Sequence, residues 1–266
     1  MRYTMKLKQT LLAAAVSGLI ASVAFAQTPP PAPAAAPAPA AEPAPPFSVN
    51  VGLASSYIYR GLNQSDYKPA LQVGADYVHA SGFYVGVWAS SIRWVKDFGL
   101  GTANVETDLY AGYKGEAAGV GYDVGVLQYV YNGSVTKGSV RANTTELYVA
   151  GTFKIFTLKY SHVVSNAIFG VAKAKNSGYF DLSASFPVTD ALAINAHVGH
   201  QIIKNTGGLG TYTDGRVEAA YDFGNGLGLS GGVTATDADK GFYTPVGKKF
   251  TGKTTPYLLL KYTKAF

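Results

Sequence analysis

Arg60, Asp76, Glu106, Asp108, Asp123, Glu146, Lys159, Asp181, Arg216, Glu218 and Lys261 alternate with apolar neighbours in short segments of this chain. Alternation puts successive side chains on opposite faces of a strand, so these charges share one side of a sheet. Carboxylates and cations gathered there can line a narrow water-filled passage, where opposed charges order water and select polar solutes. The same set could instead pair off as salt bridges in an interior with no passage. Other chemistry is thinly represented. A lipid hydrolase would need a serine, a histidine and an orienting group on one rim. His162, His197 and His200 are the candidate histidines, with Ser161 and Ser165 nearby, but no motif fixes a pairing and no catalysis is expected. The chain has no cysteine, which excludes a disulfide framework, a thiol nucleophile and a thiolate metal site. Asp237-x-Asp239-x-Gly241 resembles the start of a calcium loop without its remaining ligands, and Gly207-Gly208-x-Gly210 has no strand-turn-helix around it, so neither metal nor cofactor is expected.

The elements that must position the charges run from Phe47 to Phe266 as twelve candidate strands. The first is read as Phe47 to Arg60, with Phe47, Val49, Val51, Leu53, Tyr57 and Tyr59 on the apolar face. Later examples are Phe83, Val85 and Val87 against Tyr84, Gly86 and Trp88, and Phe180, Leu182 and Ala184 against Asp181, Ser183 and Ser185. The connections alternate in length. Ser81-Gly82, Gly115–Ala118, Lys154-Ile155, Pro187–Asp190 and Gly224–Gly226 are short; 93–102, 132–143, 166–177 and 237–253 are long. Period-two segments, an even strand count and this asymmetry together predict an all-β fold, a transmembrane antiparallel up-and-down β-barrel of about twelve strands. No stretch of the segment approaches the ~18 consecutive apolar residues of a membrane-spanning helix.

Aromatic residues support the same topology. Phe47, Tyr77, Phe83, Tyr113, Phe153, Phe156, Phe186, Phe223 and Phe266 all have apolar-face parity beside short turns, the pattern of an interfacial girdle. Tyr57, Tyr59 and Trp94 are the candidates for a second girdle at the other rim. A soluble β-sandwich also alternates, but does not need ring residues ordered by turn length. Tyr262 and Phe266 close the chain on one parity, a terminal aromatic strand of the kind that barrel-assembly machinery reads.

The ends and the composition bound the setting. Arg2, Lys6 and Lys8 precede the apolar run Leu11 to Phe25 and an Ala24-Phe25-Ala26 exit, the pattern of a cleaved signal peptide over 1–26. Residues 27–46 hold nine of the thirteen prolines and are read as a periplasmic Ala/Pro linker, too poor in packing residues for a core. The barrel domain is 47–266. Loss of the leader's three cations lowers the net charge from +6 to +3, too little to argue for nucleic acid.

Residues 55–92, SSYIYRGLNQSDYKPALQVGADYVHASGFYVGVWASSI, resemble the opening of the TorF-family outer-membrane porins. Tyr57, Arg60, Gly61, Ser65, Pro69, Gly82, Tyr84, Gly86 and Trp88 carry the resemblance, with echoes in ETDLYAGYKGE at 106–116, TELYVAG at 145–151 and AINAHVGHQ at 193–201. The resemblance implies a pore-type protein of the bacterial outer membrane. The expectation is a passive diffusion channel for small polar solutes, with outer-membrane lipids and the barrel-assembly machinery as partners. The alternatives are a closed structural or adhesive barrel whose loops bind a ligand, and a rim-sited lipid-modifying enzyme. The long connections are rich in lysine and arginine, including Lys137, Lys173, Lys204 and Lys248. They could draw anionic solutes to the mouth, meet anionic lipid-bound sugars, or form a solvated surface.

Overall fold

Each alternating segment has one apolar face and a backbone it cannot satisfy alone, and strands of that kind find their hydrogen bonds in one another. The computed structural model describes residues 45–266. The leader and nearly all of the 27–46 linker therefore lie outside the described residues. The strands are β1 (Phe47–Ala54), β2 (Ile58–Tyr59), β3 (Leu62–Asn63), β4 (Ala70–Val78), β5 (Phe83–Ser91), β6 (Val105–Ala117) and β7 (Val120–Tyr131). They continue as β8 (Thr144–Phe153), β9 (Phe156–Val163), β10 (Gly178–Pro187), β11 (Leu192–Ile202), β12 (Tyr212–Gly224), β13 (Leu227–Thr236) and β14 (Thr255–Ala265). One short helix, α1 (Trp94–Asp97), lies in the connection after β5.

Twelve of these strands close into an antiparallel barrel in chain order, leaving β2 and β3 as a separate two-stranded hairpin. Closure is made by β1, which pairs with β4 on one side and with β14 on the other, Ser48 opposite Ala265 and Ala54 opposite Leu259. The barrel itself then has no bare edge.

The register puts the predicted apolar faces outward. Phe83 is 62% exposed and Val124 43% in the isolated barrel, whereas their inward neighbours Tyr84 and Asp123 are buried. Large apolar groups displayed on every strand are the surface expected to face lipid. The nine aromatic residues next to short turns lie at the ends of these outward rows, Phe47 against Phe266 and Phe83 against Tyr113. The short connections gather at this turn end, where Ala118-Gly119 and Asn225-Gly226 turn with positive φ at both positions, as two-residue hairpins require. The long connections gather at the opposite, loop end.

Two elements depart from the sequence reading. β6 runs through Gly115 to Ala117, so its turn is Ala118-Gly119 and not Gly115–Ala118. β1 stops at Ala54 rather than reaching Arg60, because Ser55 and Ser56 leave the sheet and the chain folds back into the barrel as the β2–β3 hairpin. Tyr57 and Tyr59 are therefore inside and buried, not outer-girdle residues. Trp94 is likewise buried, packed edge-on against Tyr131 at 5.1 Å between ring centroids.

Candidate functional site

The hairpin turns at Arg60-Gly61, where φ is 44° and 75° and Tyr59 pairs with Leu62. A two-residue turn of this type needs positive φ at both positions, and glycine supplies one of them without strain. Gly61 also has no room for a side chain: a Cβ would overlap the Asp214 Cβ of β12. The turn thus presses directly on the barrel wall.

From this position the hairpin reaches across the lumen. Tyr57 donates its hydroxyl to Glu106 of β6 at 2.6 Å and stacks edge-on against Trp88 of β5. The Tyr59 and Tyr129 hydroxyls lie 2.6 Å apart. Arg60 donates twice to Glu146 of β8, at 3.0 and 2.8 Å, and once to Gln201 of β11 at 2.9 Å. Its guanidinium lies 4.2 Å from the ring centroid of Tyr179 on β10. Glu146 is 1% exposed, so the ion pair is sealed from water. A planar guanidinium matches a carboxylate in two parallel bonds, and its faces accept aromatic rings, which is why arginine suits this place.

Beside and below the hairpin the inward residues form further polar pairs. Tyr84 donates to Asp123 at 2.6 Å and also meets the Tyr148 hydroxyl. Tyr110 donates to Asp76 at 2.5 Å, and Lys159 lies 4.1 Å over the Tyr148 ring. His197 bridges Asp181 at 3.0 Å and Asp214 at 2.8 Å. Tyr257 donates to Glu218 at 2.7 Å. The tyrosine rings fit because glycines face them on adjacent strands. Tyr110 covers Gly86, where a Cβ would collide with the ring. The rings lie along the wall instead of crossing the lumen.

All eleven charges named from sequence lie inside the barrel, ten on inward strand positions and Arg60 on the hairpin. The structure adds Lys114, Asp214 and Gln201. Lys114 lies near the turn end of β6 and Asp214 near the loop end of β12. Gln201 was legible as inward but carries no charge. Of the resembling residues, Tyr57, Arg60, Gly61 and Ser65 build the plug. Tyr84, Gly86 and Trp88 line the β5 wall under it, Pro69 precedes β4 and Gly82 forms a turn with φ of 101°. The histidines separate: His162 meets Tyr160 and Asn176, His200 meets Thr213, and His197 joins the two aspartates. Ser161 is buried on the inward face, and Ser165 donates to the Ala167 carbonyl. Among the described hydrogen bonds none joins His162, His197 or His200 to Ser161 or Ser165; the one rim serine–histidine contact is His79 with Ser81, 2.7 Å apart in the β4–β5 turn.

Above the hairpin, toward the loop end, lies a cavity of about 260 Å³ walled by all the long connections except that after β7. In one of these, Lys248 bridges Asp97 at 2.9 Å and Asp66 at 3.3 Å, which raises its pKa and ties the last loop to the first two.

The family model described as a bacterial protein of unknown function (Gcw_chp) matches residues 38–266. No curated protein matches the chain. Among solved structures the chain is similar to a KdgM porin, with a TM-score of 0.52, 9% identity and coverage of 82% of this chain and 99% of that one. A NanC porin gives 0.52, 8%, 83% and 99%. A KdgM porin in complex with disordered oligogalacturonate gives 0.51, 8%, 82% and 99%. At these identities the likeness is one of fold.

Proposed function

This chain belongs to the Gcw_chp family, and we propose that it is a porin-like channel of the bacterial outer membrane for small polar solutes, of the TorF type, narrowed by its own first loop. The loop end faces outside and the turn end faces the periplasm. Residues 1–26 are a cleaved signal peptide, and 27–46 a linker on the periplasmic side. Phe266, with Tyr262, presents the terminal strand to the assembly machinery. Outward apolar rows and terminal aromatic rings support contact with lipid.

The observation that carries the reading is the origin of the constriction. It comes from a hairpin inserted from a loop, not from the strands, and the turn half of the lumen beneath it is lined by part-exposed small and polar residues. Inward carboxylates outnumber inward lysines and arginines among the described residues, which favours cations over anions once a solute has entered. The lysine-rich loops act earlier, at the mouth, where solvent screens them.

Planar-bilayer recording tests the channel. The protein gives discrete conductance steps with a cation-selective reversal potential in a salt gradient, and replacing residues 57–65 by a short Gly-Ser link enlarges the steps. Silence from both proteins overturns the reading. It would favour the closed, ligand-binding barrel, which the buried belt around Arg60 and Glu146 otherwise supports. Orientation is tested separately: single cysteines at Lys137, Lys173 and Lys248 react with an impermeant maleimide on intact cells, and one at Glu116 does not. The reverse pattern inverts the topology.

A further inference from the structure

The cavity above the hairpin differs in chemistry from the lumen below it. Tyr59, Trp94, Tyr131, Phe169, Tyr212 and Tyr243 give it aromatic walls, and no charged residue lines it. The rings are braced edge-on against one another, Tyr59 against Phe169 and Tyr212 against Tyr243, at 5.8 and 5.2 Å between centroids. Most polar groups on the lining are engaged by the protein. Asn63 Oδ1 accepts the Ser65 and Tyr67 backbone N–H groups, and Tyr243 donates to the Gly210 carbonyl. Gln201 is held by Arg60 and by the Gly178 carbonyl. Two groups are different. The Tyr212 hydroxyl and the Gln64 side-chain oxygen have no hydrogen-bond partner among the described residues, yet neither is sealed off. Tyr212 is 4% exposed and Gln64 8%, and the surface each keeps is on the cavity it lines. Gln64 is also fixed in place. Its Nε2 donates to the Leu62 carbonyl, and its backbone donates to Tyr57 and accepts from Arg93 and Trp94.

The cavity is half-open toward the loop end, and its volume of about 260 Å³ holds a single ring of pyranose size. These features select the occupant. An ion of either sign would leave water for walls with no counter-charge. A flat apolar ring would pack well, but it would strip water from Tyr212 and Gln64 and put nothing in its place. A ring with C–H groups on its faces and hydroxyls along its edge meets both demands. Its faces pack on the aromatic walls, edge hydroxyls bond Tyr212 and Gln64, and the remaining hydroxyls point out of the mouth into water. We propose that this cavity binds one uncharged cyclic polyol of single-sugar size, held as solute above the constriction. The role of the site rests on the channel reading; the binding itself does not.

The test uses the whole barrel in a deuterated amine-oxide detergent, because glucoside and maltoside detergents would carry the ligand class into the assay. Methyl β-glucoside, methyl β-galactoside and myo-inositol are titrated in turn, and binding is read by saturation-transfer NMR. A saturable signal is expected from at least one of them. Tyr212→Phe keeps the ring and removes the hydroxyl, and should weaken that binding about fivefold to tenfold, the value of one hydrogen bond. Val171→Phe fills the cavity and should remove the signal. Leu62→Phe, which fills it from the hairpin, takes its place if Val171→Phe fails the heat-modifiability check for a folded barrel. Glucuronate and glucosamine, rings that carry a charge, should bind more weakly than the neutral ring. Saturable binding by none of the three neutral probes overturns the proposal, as does undiminished binding in Tyr212→Phe or in the filled variant, or tighter binding of either charged ring. Conductance is read separately. Steps without binding strike this site alone, whereas binding without steps strikes the channel reading and leaves the site to a closed, ligand-binding barrel.

Discussion

The two halves of the barrel interior share strands, parity and register, yet differ in everything that decides passage. Toward the turn end the inward positions carry Ser48, Asn50, Gly112, Thr157, Ser183 and Gly228, all partly exposed. Toward the loop end the same faces carry Trp88, Tyr129, Tyr179 and Tyr257, and the hairpin fills the space between them. Closing the wall and closing the lumen are thus separate acts. The first follows from alternation alone, which any inward residue preserves. The second follows from side-chain size on inward positions and from one loop that leaves the sheet. Polar groups in the open half exchange hydrogen bonds with solvent. Those in the filled half depend on one another, which makes them expensive to remove.

The contrast breaks most sharply at Glu146. Replacing it by alanine leaves Arg60 charged, buried and without its carboxylate, and should destabilise the barrel by about 3–5 kcal/mol, whereas Ser183→Ala in the open half should stay within about 0.5 kcal/mol. Equilibrium unfolding in denaturant with a heat-modifiability readout measures both. Comparable losses would mean the two halves are equally packed.

A somewhat smaller effect separates inside from outside. Val124→Arg or Leu182→Arg, on outward positions near strand centres, should cost about 2–4 kcal/mol in a bilayer. Ser183→Arg, one residue along on the inward face of the open half, should be far milder. Equal damage at both parities would place the register one residue off, which reverses every side chain.

The smallest predicted change lies at the boundary between the halves. Tyr84→Phe removes the hydroxyl that serves both Asp123 and Tyr148 and keeps the ring over Gly112. A loss of about 1.5–3 kcal/mol, measured by the same unfolding, is expected where the carboxylate depends on that donor. No loss would move the boundary toward the loop end and make Asp123 part of the solvated half.

The wall was legible in the sequence and the plug was not, for a physical reason. Strand parity and loop length are local properties, and they placed the outward rows and the inward charges. Tyr57 and Tyr59 keep the parity of β1 beyond Ser55, so the apolar face extends in sequence as far as Arg60. What ends the strand is tertiary: Ser55 and Ser56 turn the chain, and the burial of two tyrosines and a paired arginine stabilises the hairpin inside. The signal that could have found it is Arg60-Gly61 between Tyr59 and Leu62, a two-residue turn with glycine where positive φ is needed. Trp94 misled for a similar reason. A tryptophan near a rim suits a lipid interface as well as an aromatic chamber, and only the fold of the connection after β5 decides between them.

The pairing of β1 with β14 has a consequence for how the molecule is made. The partner of the earliest barrel strand is the latest of them, Ser48 opposite Ala265. No shorter version of the chain can seal itself, and every unfinished form carries two bare edges able to recruit a neighbouring chain. The entropic cost of bringing such distant residues together falls on the final event, when everything else has been spent. Safe passage to the finished state is therefore a matter of custody: something must hold the curled sheet apart from its siblings until its two ends meet.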